Sequence, residues 1–298
     1  MKSIGRAAVA RGLLCGVVLV SAALATSCAM ADAPAAVRAP TVAVSSDDAR
    51  RPNLSIMRPD SLTAGFTQLQ AQLPGKVGMA LMPVGGERMT IYGDWTTGIA
   101  WSTIKVPLAV AALRHDQDRS IFEMVRAAIT VSDNDAAADL WYSLGTGRQA
   151  AAAVQQVLDE ADAAAVGEYG PHTELDHTSF GSTEWSLANQ VRFASRLPCL
   201  AGTELVTELM GEITPEQSWG LGLLDGTEFK GGWGPDDDTG VYTVRQFGLV
   251  PVGSGLLAVA LAAQADSGSF TDTTALLDRM AMLLARHLPE LRGGVCPR

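Results

Sequence analysis

Residues 98–116 read GIAWSTIKVPLAVAALRHD, and their interpretation governs how the remainder of the chain is understood. Lys105 stands three residues after Ser102, at the head of an apolar, alanine-rich run with helical spacing. On a helix, positions i and i+3 share a face, so hydroxyl and amine can meet, with the serine at the positive end of the helix dipole. Ser102 is then either a nucleophile activated by Lys105 or a helix cap beside an isolated charge. An S-x-x-K spacing arises by chance about once in a chain of this length at average composition, so the choice depends on what else the sequence supplies.

A serine hydroxyl is a weak nucleophile without a base beside it. A lysine serves as that base only when burial or a second cation lowers its pKa. Lysines are scarce here: Lys2, Lys76, Lys105 and Lys230 are the only ones in the chain. Lys230 lies in EFKGGWGP (228–235), a strand-like segment whose glycines would let an extended ligand pair along the edge. A lone K-G-G is otherwise an edge-strand lysine that discourages aggregation. The remaining element is AAITVSDNDAAADLW (127–141), where Ser132 and Asn134 flank Asp133 in a turn between two helical patterns, placed to face one cleft. S-D-N is expected in only about a few per cent of chains this long, and its alternative reading is a helix N-cap.

The surrounding chain fits an exported globular protein. Its 298 residues are 47% hydrophobic with a formal charge of -10, enough to bury a substantial core and short of the clustered Lys and Arg that nucleic acid or an anionic membrane surface requires. At the N-terminus, Lys2, Arg6 and Arg11 precede an apolar run over 12–25 that is short for a membrane span, which predicts an export signal over 1–31. Two cleavage sites compete. LATSC would lipidate Cys28, although Ala25 stands where leucine is usual, and AMA ending at Ala31 suits ordinary signal peptidase. Either product works in the cell envelope, as a membrane-anchored lipoprotein or as a secreted protein. Both cleavages remove Cys15 and leave Cys199 and Cys296 as the pair in the body of the protein, expected to form a disulfide.

Residues 32–58 lack apolar periodicity and read as a flexible tether. Beyond it the predicted order is a helix (SLTAGFTQLQAQL), two strands (KVGMALMPV, RMTIYGD), a series of helices between about Trp101 and Leu200, three strands (TEFKGGW, VYTVRQFGLV, GLLAVALAAQ) and a last amphipathic helix (TDTTALLDRMAMLLARHL). The fold class is α/β of the α+β type. Strands from both chain ends share an antiparallel sheet with flanking helices, and an all-helical lobe is inserted between them. The expected divisions are a sheet lobe over 59–100 and 201–288, a helical lobe over 101–200 and a tail over 289–298, with the site in the crevice between lobes.

In this arrangement the three elements resemble the S-x-x-K, S-D-N and K-T-G set of class A β-lactamases and penicillin-binding proteins, a likeness that runs from about Leu62 to Leu288. The resemblance implies a serine hydrolase acylated by a β-lactam or a cell-wall peptide, with no cofactor and no metal. It casts Ser102 as nucleophile, Lys105 as proton acceptor, Ser132 as relay to the leaving nitrogen, Asn134 as a substrate contact and Lys230 as electrostatic anchor. Substrate would lie along Gly231, Gly232 and Trp233, with an oxyanion hole from the amides of Ser102 and of Trp233 or a neighbour.

Two departures stand out. Gly231 replaces the hydroxyl residue that binds the substrate carboxylate, and Arg245 on the next strand is either a substitute guanidinium or an exposed strand residue. The segment GEYGPHTELDHTSFGSTEW (167–185) is short for the loop that carries a deacylating glutamate; Glu174 is the nearest match, with Glu168 behind it. A persistent acyl-enzyme is the expected result. The alternative is a catalytically degenerate member acting as an envelope binding or scaffolding module. His172 and His177 make a poor metal signature, PDDDT (235–239) reads as a solvated turn, and most tryptophans read as core.

Overall fold

Five apolar segments form one sheet in the computed structural model, which describes residues 61–162 and 180–297. The expected export signal, Cys28, the tether, His172, His177, Glu168 and Glu174 lie outside the described residues. The strands are β1 (Gly75–Pro83), β2 (Thr90–Gly93), β3 (Glu228–Pro235), β4 (Tyr242–Val252) and β5 (Gly255–Ala265), in the order β2-β1-β5-β4-β3 with every neighbouring pair antiparallel. Chain ends therefore meet in the middle of the sheet, where β1 pairs with β5 over its whole length. At the β3 edge, Lys230 stands opposite Phe247, Gly231 opposite Gln246 and Gly232 opposite Arg245.

Both faces of the sheet are covered, so the strands read as continuous apolar runs rather than as alternating ones. Val77, Met79, Leu81, Val259 and Leu261 belong to the core shared with α1 (Leu62–Gln70) and α8 (Phe270–His287). Their neighbours Ala80, Met82, Phe247, Ala260 and Ala262 belong to the core shared with α6 (Leu187–Arg196) and the helices beyond it. The period of two is intact but invisible in hydropathy, because each face meets a helix layer. Alanines on the α6 side of β5 keep that face flat, and Trp185, Phe193 and Phe247 fill the remaining space with edge-to-face contacts at 5.4–5.8 Å.

The second layer is built around α2 (Lys105–His115), whose residues Lys105 to Leu113 are all buried. A helix apolar on every side belongs at the centre of a bundle. It is packed by α3 (Arg119–Thr130), α4 (Asn134–Ser143) and α5 (Gly147–Asp162). Caps set the helix starts: Asp133, Ser186 and Ser269 accept from the amides of Ala136 (2.8 Å), Asn189 (3.1 Å) and Asp272 (3.0 Å), contacts worth about 1 kcal/mol each. One helix was not foreseen. α7 (Glu204–Met210) buries Val206, Leu209 and Met210 against α3 and β3; at seven residues it is too short for a periodic pattern to be read.

Cys199, just after α6, is joined to Cys296 in the tail across 97 residues, with the Cα atoms 5.3 Å apart. The tail is also held by paired backbone bonds between Leu256 and Gly294, both 2.9 Å. All these elements lie within one compact unit.

Candidate active site

Ser102 lies in a one-turn 3-10 helix directly ahead of α2 and caps neither helix. α2 begins at Lys105 and is preceded by a single tight turn, Trp101–Ile104, that carries the serine. Trp101 has φ 51°, in the left-handed region where a bulky side chain is strained by about 1–2 kcal/mol. The β3 backbone is pressed against this turn: a Cβ on Gly232 would lie 2.8 Å from the amide nitrogens of both Ser102 and Thr103. Only glycine allows that approach. The Trp101 ring in turn covers Gly234, where a Cβ would come within 2.3 Å of the indole. The Ser102 hydroxyl is half-buried and has no hydrogen-bond partner among the described residues.

The S-D-N turn supplies the opposite wall. Ser132 also has a left-handed backbone, φ 58°. This aims both its carbonyl and its hydroxyl at the lysines, while Asp133 caps α4 and Asn134 begins it. The capping reading is therefore correct for the aspartate alone, and it leaves the two flanking side chains for the site. Lys105 Nζ donates to the Ser132 carbonyl (2.6 Å), to Asn134 Oδ1 (2.6 Å) and to Ser132 Oγ (3.3 Å). Lys230 Nζ donates to the same Ser132 Oγ (2.9 Å) and to the Gly231 carbonyl (2.9 Å). One hydroxyl thus bridges two amines from different layers.

Both lysines are almost completely buried, at 1% and 0% exposure. Burial lowers the Lys105 pKa to about 8, against an upward pull from the neighbouring Asp133. Burial also drives Lys230 well below the usual lysine range, and the positive charge of Lys105 pushes it further in the same direction. Two ammonium groups cannot share one hydroxyl cheaply in a dry site, which favours loss of one proton from the pair. When Lys105 is neutral, its two shortest bonds occupy its two N–H groups. The lone pair is then left to take a proton from a nearby hydroxyl.

The structure brings together Ser102, Lys105, Ser132, Asn134, Lys230 and the Gly231–Trp233 strand. Asn134 is already engaged with Lys105 rather than held out to a ligand. Gly231 is hemmed in: a Cβ there would approach the Trp219 indole to 3.0 Å, and the facing Gln246 spends its amide on the Trp219 carbonyl (2.7 Å) and the Leu221 amide (2.8 Å). Trp219, Trp233 and Phe270 form an aromatic cluster with ring centroids 5.7–6.2 Å apart.

Arg245 is placed elsewhere. It is neither an exposed strand residue nor a cleft guanidinium: at 0% exposure it points to the α6 side of the sheet. There it donates to the carbonyls of Gly98 (2.8 Å) and Ile99 (3.1 Å) and to Gln190 Oε1 (2.9 and 3.3 Å). Burial lowers its pKa to about 9, which leaves it charged at neutral pH. Thr103, buried within the serine turn, and Gln190, buried beside it, were missed in the sequence. The one available signal was a glutamine sharing a helix face with Leu187, Phe193 and Ala194.

No protein-family model matches the chain, and no curated protein matches its sequence. Solved structures do. The TLA-3 extended-spectrum β-lactamase is 15% identical over 78% of this chain and 99% of its own, with a TM-score of 0.59. A β-lactamase from Burkholderia vietnamiensis is 18% identical over 76% and 96%, with a TM-score of 0.57. A class A β-lactamase from Bacteroides cellulosilyticus is 14% identical over 77% and 98%, with a TM-score of 0.61. At such identities the likeness is one of fold.

Proposed function

We propose, from this class A β-lactamase-like fold, that the protein is an exported serine hydrolase that forms an acyl-enzyme on Ser102 with a β-lactam or a cell-wall peptide. The carrying observation is the Ser132 hydroxyl held by both Lys105 and Lys230 at hydrogen-bond distance, with Lys105 lowered to about 8. At pH 7 about one molecule in ten then has a neutral Lys105. In the proposed step Ser102 Oγ attacks the carbonyl carbon as its proton passes to Lys105. The carbonyl–nitrogen bond breaks, and the leaving nitrogen takes the Ser132 proton, which Lys105 restores. Amides at Ser102 and Trp233 would receive the oxyanion. The disulfide supports an oxidising compartment, with anchoring through Cys28 or release after Ala31 as the two routes to it.

A second reading is favoured by one specific observation: Lys105 is turned to Ser132 and Asn134, and the Ser102 hydroxyl has no partner among the described residues. That geometry suits a binding module that keeps the fold without turnover. Intact-mass analysis of the purified protein with benzylpenicillin and with a cephalosporin, beside Ser102→Ala, separates the two. A mass increase confined to the serine-bearing protein supports acyl transfer with slow release, and consumption without an adduct supports a lactamase. Neither adduct nor consumption leaves the binding module.

A further inference from the structure

We propose that Arg245, Gln190 and Thr103 form a buried polar clamp that holds the Ser102 turn in its reactive shape, and that the Thr103 hydroxyl is a positioning residue for the nucleophile. The inference rests on the acyl-transfer reading and assigns a role to residues outside its machinery.

The clamp is continuous. Arg245, on β4, donates one nitrogen to the Gly98 and Ile99 carbonyls and two to Gln190 Oε1. Gln190, on α6, passes its amide to Thr103 Oγ1 at 3.0 Å, and Thr103 Oγ1 donates to the Ala100 carbonyl at 2.5 Å. Three consecutive carbonyls ahead of Trp101 are thereby satisfied by side chains, and Ala100 is fixed further by its N–H, which donates to the Thr183 carbonyl (2.7 Å). All three clamp residues are 0% exposed. The guanidinium lies 5.1 Å from the Trp95 ring centroid and pairs with no carboxylate among the described residues.

Such an arrangement is costly unless it does something beyond filling space. A buried charge resting only on carbonyls, an amide and an aromatic face is a poor stability device compared with an apolar side chain of similar volume. It does supply directional donors to the segment that must enter a left-handed backbone at Trp101. Strained conformations persist where their surroundings over-determine them. Here the clamp fixes the carbonyls on the approach, and β3 closes on the amides of Ser102 and Thr103 from the other side. Loosening the approach would let Trp101 relax, and Ser102 would swing with it relative to Lys105.

The test uses time-resolved intact-mass analysis of the purified protein over a benzylpenicillin concentration series, which separates the non-covalent dissociation constant from the acylation rate constant. Thr103→Val keeps the shape and removes the hydroxyl; Thr103→Ser restores it. Gln190→Met cuts the bridge from its other end if the valine variant does not fold. The expected result is an acylation rate constant lowered about tenfold or more in Thr103→Val and Gln190→Met, with the dissociation constant within about twofold and recovery in Thr103→Ser. The pH midpoint of acylation stays where Lys105 sets it, which a rearranged site would not preserve. Wild-type acylation rates in both folded variants, or losses that merely track the folded fraction, overturn the clamp alone. A wild-type protein that is never acylated overturns the acyl-transfer reading, and the clamp falls with it.

Discussion

Lys105 carries the pH dependence of the proposed reaction. Only its neutral form can accept the Ser102 proton, and burial sets its pKa at about 8. Acylation should therefore rise about tenfold per pH unit below that value and level off above it; rate constants measured from pH 6 to 9.5 that stay flat would remove Lys105 from the role of base. Gly231 has a different constraint. It is held by the Trp219 indole, 3.0 Å from where a Cβ would stand. Gly231→Thr should lower unfolding stability in urea by about 1–3 kcal/mol, and cost less when introduced into a Trp219→Ala background. An unchanged single variant would mean that the indole moves aside freely. At this scale the sequence was legible in which residues come together: Lys105, Ser132, Asn134 and Lys230 meet as their motifs suggest, and Ser102 stands on the turn ahead of Lys105. It was illegible for Arg245, because strand alternation gives a residue's face only relative to its neighbours, and here both faces are covered.

Among the elements, β3 is the one whose composition is explained by contacts on every side. Its glycines admit Trp219 at 231, the serine turn at 232 and Trp101 at 234, so they serve packing as much as any ligand. Gly234→Ala should displace the Trp101 ring, which lies 2.3 Å from the added methyl position, and slow acylation at a folded serine site. Ser269→Ala, which removes the cap of α8, should cost about 1 kcal/mol of stability and leave acylation alone. Thermal melts and acylation rates on the two variants give this contrast directly; slowing by the cap variant would show that stability, not the turn, controls the rate. The long helices and all five strands were readable from periodicity and turn residues. α7 was not, since its seven residues gain their structure from α3 and β3 rather than from a local pattern. The strained turn before α2 was likewise invisible, because a tertiary clamp imposes it on a residue with no preference for it.

For the whole molecule, the Cys199–Cys296 bridge ties the end of α6 to the tail beside β5 across 97 residues. Closing a loop of that size removes about 4–5 kcal/mol of unfolded-chain entropy in the simplest treatment. The double variant Cys199→Ala/Cys296→Ala should therefore melt well below the oxidised protein and coincide with the wild type under reductant, whereas an unshifted melting temperature would make the bridge energetically idle. The pairing of β1 with β5 has a consequence in time. Residues 75–83 bond to residues 257–265, so during synthesis the first long strand waits for almost the entire chain before its central partner exists. Contacts this distant in sequence form late and slowly. The central seam of the sheet therefore cannot close until the last strand has left the ribosome, so the fold is completed only at the end of synthesis.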